Sequence, residues 1–185
     1  MRWEALFADL DAQADALEQA ERAAEVEERA RIEVAGLALI DRLRPAVGTE
    51  LRLRCTGGLS LGGTLARTGP DWVLVDEPAG REAVVSLAAV LSIGGLGRVS
   101  AAPGSGGVVE SRLGLRHALR GIARDRSPVL LCLADGSTVG GTIDRVGADF
   151  VEAALHPAGE MRRRDAVREV QLIPLAAVVA VRREA

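Results

Sequence analysis

The chain has no tyrosine, only two phenylalanines and two tryptophans in 185 residues, and no lysine or asparagine at all. So few rings leave no aromatic platform on which successive bases of a single strand could stack. They also mean that the core must be built from Val, Leu, Ile and Ala, which the 48% hydrophobic content allows. Two cysteines and two histidines are too few for a disulfide framework, and neither histidine has partners at metal-ligand spacing. Cys55 and Cys132 lie in apolar strand-like runs and are expected as buried, reduced thiols. No apolar stretch approaches the ~20 residues of a membrane span. The opening Met1-Arg2-Trp3-Glu4 turns acidic without the apolar run of a signal peptide, so a cytoplasmic protein is expected.

What is present is a repeat. Residues 51–75 and 129–153 align without a gap at an offset of 78, with nine identities: Leu53/Leu131, Gly58/Gly136, Gly62/Gly140, Gly63/Gly141, Thr64/Thr142, Arg67/Arg145, Gly69/Gly147, Asp71/Asp149 and Val73/Val151. Leu87-Ala88-Ala89-Val90 returns as Leu175-Ala176-Ala177-Val178 at an offset of 88. A fixed period marks two copies of one structural unit.

Each copy reads as five short strands. Leu51, Leu53 and Cys55 alternate with Arg52 and Arg54, a half-buried strand. Gly62-Gly63 marks a sharp bend inside the second strand. The remaining strands of copy one are expected near 72–76, 83–86 and 90–93. Those of copy two are expected at 129–133, 137–146, 149–154, 169–173 and 177–182. Five strands with one glycine bend suit a small closed barrel, which leaves no edge to protect.

Residues 2–44 read as helix, divided into an acidic arm (1–30) and an inner helix (31–44) that opens the first barrel unit, 31–94. The Gly/Ser/Pro-rich stretch 95–107 reads as a flexible linker, and 108–185 as a second helix plus barrel. In the arm, Trp3, Phe7, Leu10, Ala14 and Leu17 recur at spacings of four and three, the seam of a helix that seeks a partner. Residues 1–45 carry a net charge of −5 and the remainder +2, an asymmetry that points to partners.

A helix, a strand–Gly–strand bend, then Gly-x-Asp followed by apolar residues, and a closing Ile173-Pro174-Leu175 to Val178 together resemble the Sm-like fold. The resemblance covers 31–94 and 108–183. It implies small SH3-like barrels that often bind RNA or assemble into rings. RNA-binding members carry an Asp with a following Asn, and an Arg-Gly pair near the fifth strand. Asp71 and Asp149 fall near the first position, but the chain has no Asn, and its late turns read Ser86-Leu87-Ala88-Ala89 and Pro174-Leu175-Ala176-Ala177.

Nothing repeated carries chemistry. Gly95-Leu96-Gly97 lacks the third glycine and the Lys-Ser/Thr pair of a phosphate loop. There is no nucleophile elbow and no His-Glu-x-x-His. No enzyme activity, cofactor or metal is therefore expected, and a non-catalytic scaffold or protein-interaction module is. The alternative is RNA or DNA binding through Arg112, Arg116, Arg120 and Arg124, a row at i, i+4 spacing, with Arg162, Arg163 and Arg164. An acidic protein surface, including the chain's own Glu18, Glu21, Glu25 and Glu28, suits the same row. Self-association, most simply as a dimer, is expected through Trp3, Phe7, Leu10 and Leu17; Leu130 and Cys132, whose positions in copy one hold outward arginines, make a second apolar face to be covered by copy one, by helix 108–125 or by another chain at an oligomer interface.

Overall fold

The computed structural model describes residues 2–106, 113–156 and 169–183. Two units are distinct: residues 1–38, and residues 39–185. The first holds helix α1 (Arg2–Ala35). Its polar surface carries ion pairs one turn apart, Arg22 with Glu18 and Arg29 with Glu25, each adding a few tenths of a kcal/mol to helix formation. These pairs carry α1 through the charged stretch at 25–31 where the arm was expected to end. The break comes instead at Gly36, the weakest helix former in the segment. The inner helix expected over 31–44 is accordingly split. Ile32 and Val34 belong to α1 and are exposed. Only α2 (Leu39–Leu43) and a single turn at Arg44–Ala46 join the β unit.

All ten expected strands are present, within two residues of their expected limits. Copy one contributes β1 (Glu50–Cys55), β2 (Ser60–Thr68), β3 (Trp72–Glu77), β4 (Arg81–Ser86) and β5 (Val90–Gly94). After α3 (Leu115–Asp125), copy two contributes β6 (Val129–Leu133), β7 (Thr138–Val146), β8 (Phe150–Leu155), β9 (Glu169–Pro174) and β10 (Val178–Arg183). Burial alternates along β1 as the sequence requires, with Leu51, Leu53 and Cys55 inside and the arginines outside.

Pairing among the strands differs from two separately closed barrels. The strands form one open antiparallel sheet in the order β5-β1-β2-β3-β4-β10-β6-β7-β8-β9. Each copy keeps its own run of five, yet β4 takes its second partner from the other copy. Ala83, Val84 and Val85 lie opposite Arg182, Val181 and Ala180 of β10. The two cores are shared in the same way. Cys132, Val179 and Ala180 of copy two pack with Leu43, Leu53 and Val85. Trp72 and Val84 of copy one pack with Leu119, Leu131 and Ile143. Each fully buried aliphatic side chain contributes roughly 1.5–3 kcal/mol of transfer free energy.

The bends depend on one glycine of each pair. A Cβ on Gly63 would lie 2.1 Å from the Asp76 carbonyl oxygen, and one on Gly141 would lie 2.2 Å from that of Ala154. Gly62 and Gly140 have room, with nearest neighbours at 3.9 Å. Close backbone crossing therefore selects the second glycine in both copies.

The connection expected to be flexible is held down. The Arg42 guanidinium donates to the carbonyls of Gly97, Arg98 and Val99 and to Ser100 Oγ. Ala101 N–H donates to the Asp41 carbonyl at 2.8 Å. Glycine-rich composition leaves carbonyls accessible, and a five-donor guanidinium can gather several of them.

Candidate functional site

The junction between the copies is built around one buried ion pair. Glu77 ends β3 with its side chain 4% exposed, and Arg182 reaches it from β10. Arg182 Nε donates to Oε2 at 2.9 Å and Nη2 donates to Oε1 at 2.5 Å. This two-bond fork orients β10 against β4. The hydrogen bonds to Glu77 hold the Arg182 guanidinium above its ordinary pKa. Beside it, burial pushes the Cys132 thiol up, against a smaller lowering by Arg182. The Cys55 thiol is raised by burial and then by Cys132. Both cysteines are free and buried. Cys132 thus spends its apolar side inside the chain, in the core of copy one. Of the covers expected for it, copy one is the one present, which removes Cys132 from an oligomer interface. Leu130, opposite Arg182 on β10, is half-buried at the same junction.

A cleft of about 820 Å³ opens where the turns of both copies meet the start of α3. Arg116, His117 and Arg120 line it from α3, together with Asp71 and the short turns that follow β4 and β9. Asp71 Oδ1 accepts the Leu115 N–H at 2.7 Å and so caps α3. Trp72 Nε1 donates to the Leu113 carbonyl at 2.7 Å, fixing the approach to the helix. Arg116 Nη1 reaches the Ala148 carbonyl at 3.5 Å. Copy one thereby sets where α3 presents its arginines. Trp72 and Phe150 lie over Gly69 and Gly147, where any Cβ would enter the ring, and this fixes them as packing groups of their turns.

Of the expected arginine row, Arg116 and Arg120 reach the cleft, while Arg124 is exposed in the last turn of α3 and does not line it. Arg112, Arg162, Arg163 and Arg164 lie outside the described residues. Glu18, Glu25 and Glu28 pair with arginines of their own helix. Trp3, Phe7, Leu10 and Leu17 on α1 are between 50% and 71% exposed. His156 is buried, and its Nε2 lies 2.8 Å from Thr142 Oγ1. Among the described residues, no three His, Cys, Asp or Glu side chains gather as a metal site. No described helix is long and apolar enough to cross a membrane. Sequence reasoning missed the Glu77–Arg182 pair and the Arg42 clasp, neither of which has a counterpart in the other copy. Compared with protein-family models and with curated proteins, the sequence matches none.

Proposed function

We propose that this chain is a non-catalytic cytoplasmic scaffold, an interaction module of two Sm-like small barrels that self-associates through its N-terminal helix. The observation that carries this reading is the exposed stripe of Trp3, Phe7, Leu10 and Leu17 along one helical seam. Large apolar side chains arranged this way mark an association surface. The Sm-like part rests on the strand order 5-1-2-3-4 repeated within each half of the sheet, with a glycine bend in each second strand. The residues repeated between the copies are mostly those of turns, bends and core, with Arg67 and Arg145 as an exposed exception, which suits a module that positions partners. Light-scattering mass tests the reading: the full chain is expected to exceed one chain's mass, and Leu10→Glu with Leu17→Glu is expected to reduce it. An unchanged mass would remove the helix as the interface.

A second reading, binding of RNA or DNA phosphates, is favoured by one observation, the shared cleft with Arg116, His117 and Arg120 on its wall. Phosphate contacts release counterions, so retention on nucleic acid must fall steeply as salt rises. Absence of retention at low salt, or retention untouched by Arg116→Gln with Arg120→Gln, would count against it.

A further inference from the structure

Strand β1 of copy one turns a patterned row of charge to solvent. Burial alternates along it, with Leu51, Leu53 and Cys55 in the core, so Glu50, Arg52 and Arg54 stand on the opposite face and are exposed. Alternate residues of a strand lie about 7 Å apart. The row therefore reads carboxylate, guanidinium, guanidinium at even steps. The neighbouring strands keep it open. Arg52 lies between Gly62 of β2 and Gly94 of β5, and Arg54 lies between Ser60 of β2 and Ser92 of β5. Residues directly opposite in a sheet share a face, so each arginine is flanked on both sides by a small residue. The result is a shallow hollow of about 520 Å³ that holds the two arginines. A Cβ on Gly94 would lie 3.9 Å from Arg52 Nε, which sets this side chain against the bare backbone of β5.

Neither guanidinium is neutralised within the chain. Arg44 and Arg182 pair with Asp41 and Glu77, whereas among the described residues Arg52 and Arg54 have no ion pair and no side-chain hydrogen bond. Copy two has no such face, because Leu130 and Cys132 stand at the matching positions, half-buried and buried. The charge also changes sign beside the arginines. Glu50 stands opposite Thr64, Thr64 opposite Asp76, and Asp76 opposite Glu82, and all four are exposed. A row of carboxylates therefore bounds the cationic hollow at one end. A nucleic-acid backbone laid along β1 would run from the two arginines onto Glu50, and no ring lines the hollow for a base to stack on. An extended peptide has the same two-residue period and can change sign along it.

The geometry points to an extended segment of a partner protein as the occupant, one whose alternate side chains run base, acid, acid. Its two carboxylates meet Arg52 and Arg54, whose planar forks match carboxylate geometry. The hydroxyls of Ser60 and Ser92 stand ready to donate beside Arg54, and the base of the segment meets Glu50. Gly62 and Gly94 let its backbone come close over Arg52. Side chains between these positions point away from the sheet, so their identity is left free. Exposed ion pairs are individually weak, and such a face selects by pattern more than by strength. This goes beyond self-association: it names a partner class for the interaction module, and it uses no residue of the helix stripe or of the α3 cleft.

The test titrates the full chain at low salt with an end-blocked peptide, Lys-Thr-Glu-Thr-Glu, and follows backbone amide shifts by NMR. Saturable shifts are expected at 50–54, 60–62 and 92–94. Arg52→Gln and Arg54→Gln are each expected to weaken binding by roughly two- to fivefold. The isomer Lys-Glu-Glu-Thr-Thr, whose carboxylates fall on opposite faces, is expected to bind more weakly. Arg52→Glu is expected to reverse the preference, so that Lys-Thr-Lys-Thr-Glu binds better than the original peptide. Circular dichroism checks that the variants remain folded, as substitution of exposed side chains should leave them. No shift at 50–54 with millimolar peptide would overturn the proposal. So would binding that both glutamine variants leave unchanged, or equal binding of the two isomers, which would mark attraction of anions without a pattern. Duplex DNA that shifts the same amides and displaces the peptide would overturn it in favour of phosphate. Light scattering reads the helix stripe separately, so either reading can fail alone.

Discussion

Removing the guanidinium of Arg182 should damage the β unit more than removing any exposed arginine. Arg182→Met keeps much of the side chain's apolar stem but strands the Glu77 carboxylate, whose side chain is 4% exposed, without its two donors. Breaking one side of a buried pair costs about 3–5 kcal/mol. The Arg182 side chain is 23% exposed, and water can therefore partly solvate what remains, which places the expected loss near the lower limit, about 3 kcal/mol. Glu77→Leu with Arg182→Met behaves differently. It installs at position 77 the residue type that copy two carries at Leu155, and a buried pair replaced by well-packed apolar groups is neutral or up to about 4 kcal/mol stabilising. Urea denaturation suits the measurement, because guanidinium chloride would itself screen the charges. The single variant should lower the midpoint at constant slope, and the double variant should recover most of the loss. A loss below about 1 kcal/mol for Arg182→Met, the range of exposed pairs, would refute the reasoning. A double variant as unstable as the two singles combined would do so equally.

Gly63→Ala and Gly141→Ala should each cost about 1–3 kcal/mol or more through overpacking against a carbonyl, while Gly62→Ala and Gly140→Ala should change stability far less. Thermal melts of the four variants check this pairing of outcomes. Alkaline pH should destabilise the fold through its thiols. Cys55 and Cys132 have folded pKa values raised above the ordinary 9.0, so their contribution is complete below pH 9 and is lost as pH rises through the folded values. Denaturation midpoints should fall above pH 9, and a Cys55→Val, Cys132→Val variant should show a smaller fall; equal slopes would contradict the assignment.

Strand positions were legible because alternation has a period of two and the duplication supplied each pattern twice. Which strands pair across the join was not legible. Alternation says which face of β4 is buried but nothing about its edge, and the edge decides whether β4 meets β5 or β10. The Glu77–Arg182 pair spans 105 residues, with no local pattern to announce it. Cys132 read as an outward residue because copy one has Arg54 there; its cover is the core of copy one, which only the continuous sheet brings over it. The arginine row on α3 was visible from its i, i+4 spacing. That Arg116 and Arg120 reach the cleft follows from how Asp71 and Trp72 seat the helix, a tertiary matter. Composition misread 97–101, since a distant Arg42 supplies the order that glycine and serine lack.

The continuous sheet has a consequence for the chemistry that the join between its two halves can use. Strands β4 and β10 belong to one polypeptide, so they meet at an effective concentration set by the connection between the copies, on the order of millimolar for a short tether. Arg42 shortens that tether further by pinning the carbonyls of Gly97, Arg98 and Val99 to α2. The inner join can therefore use a charged pair, whose desolvation cost offsets much of its attraction, and still be formed in every molecule. Carrying both copies in one chain thus relaxes the demand for affinity at the surface where they meet.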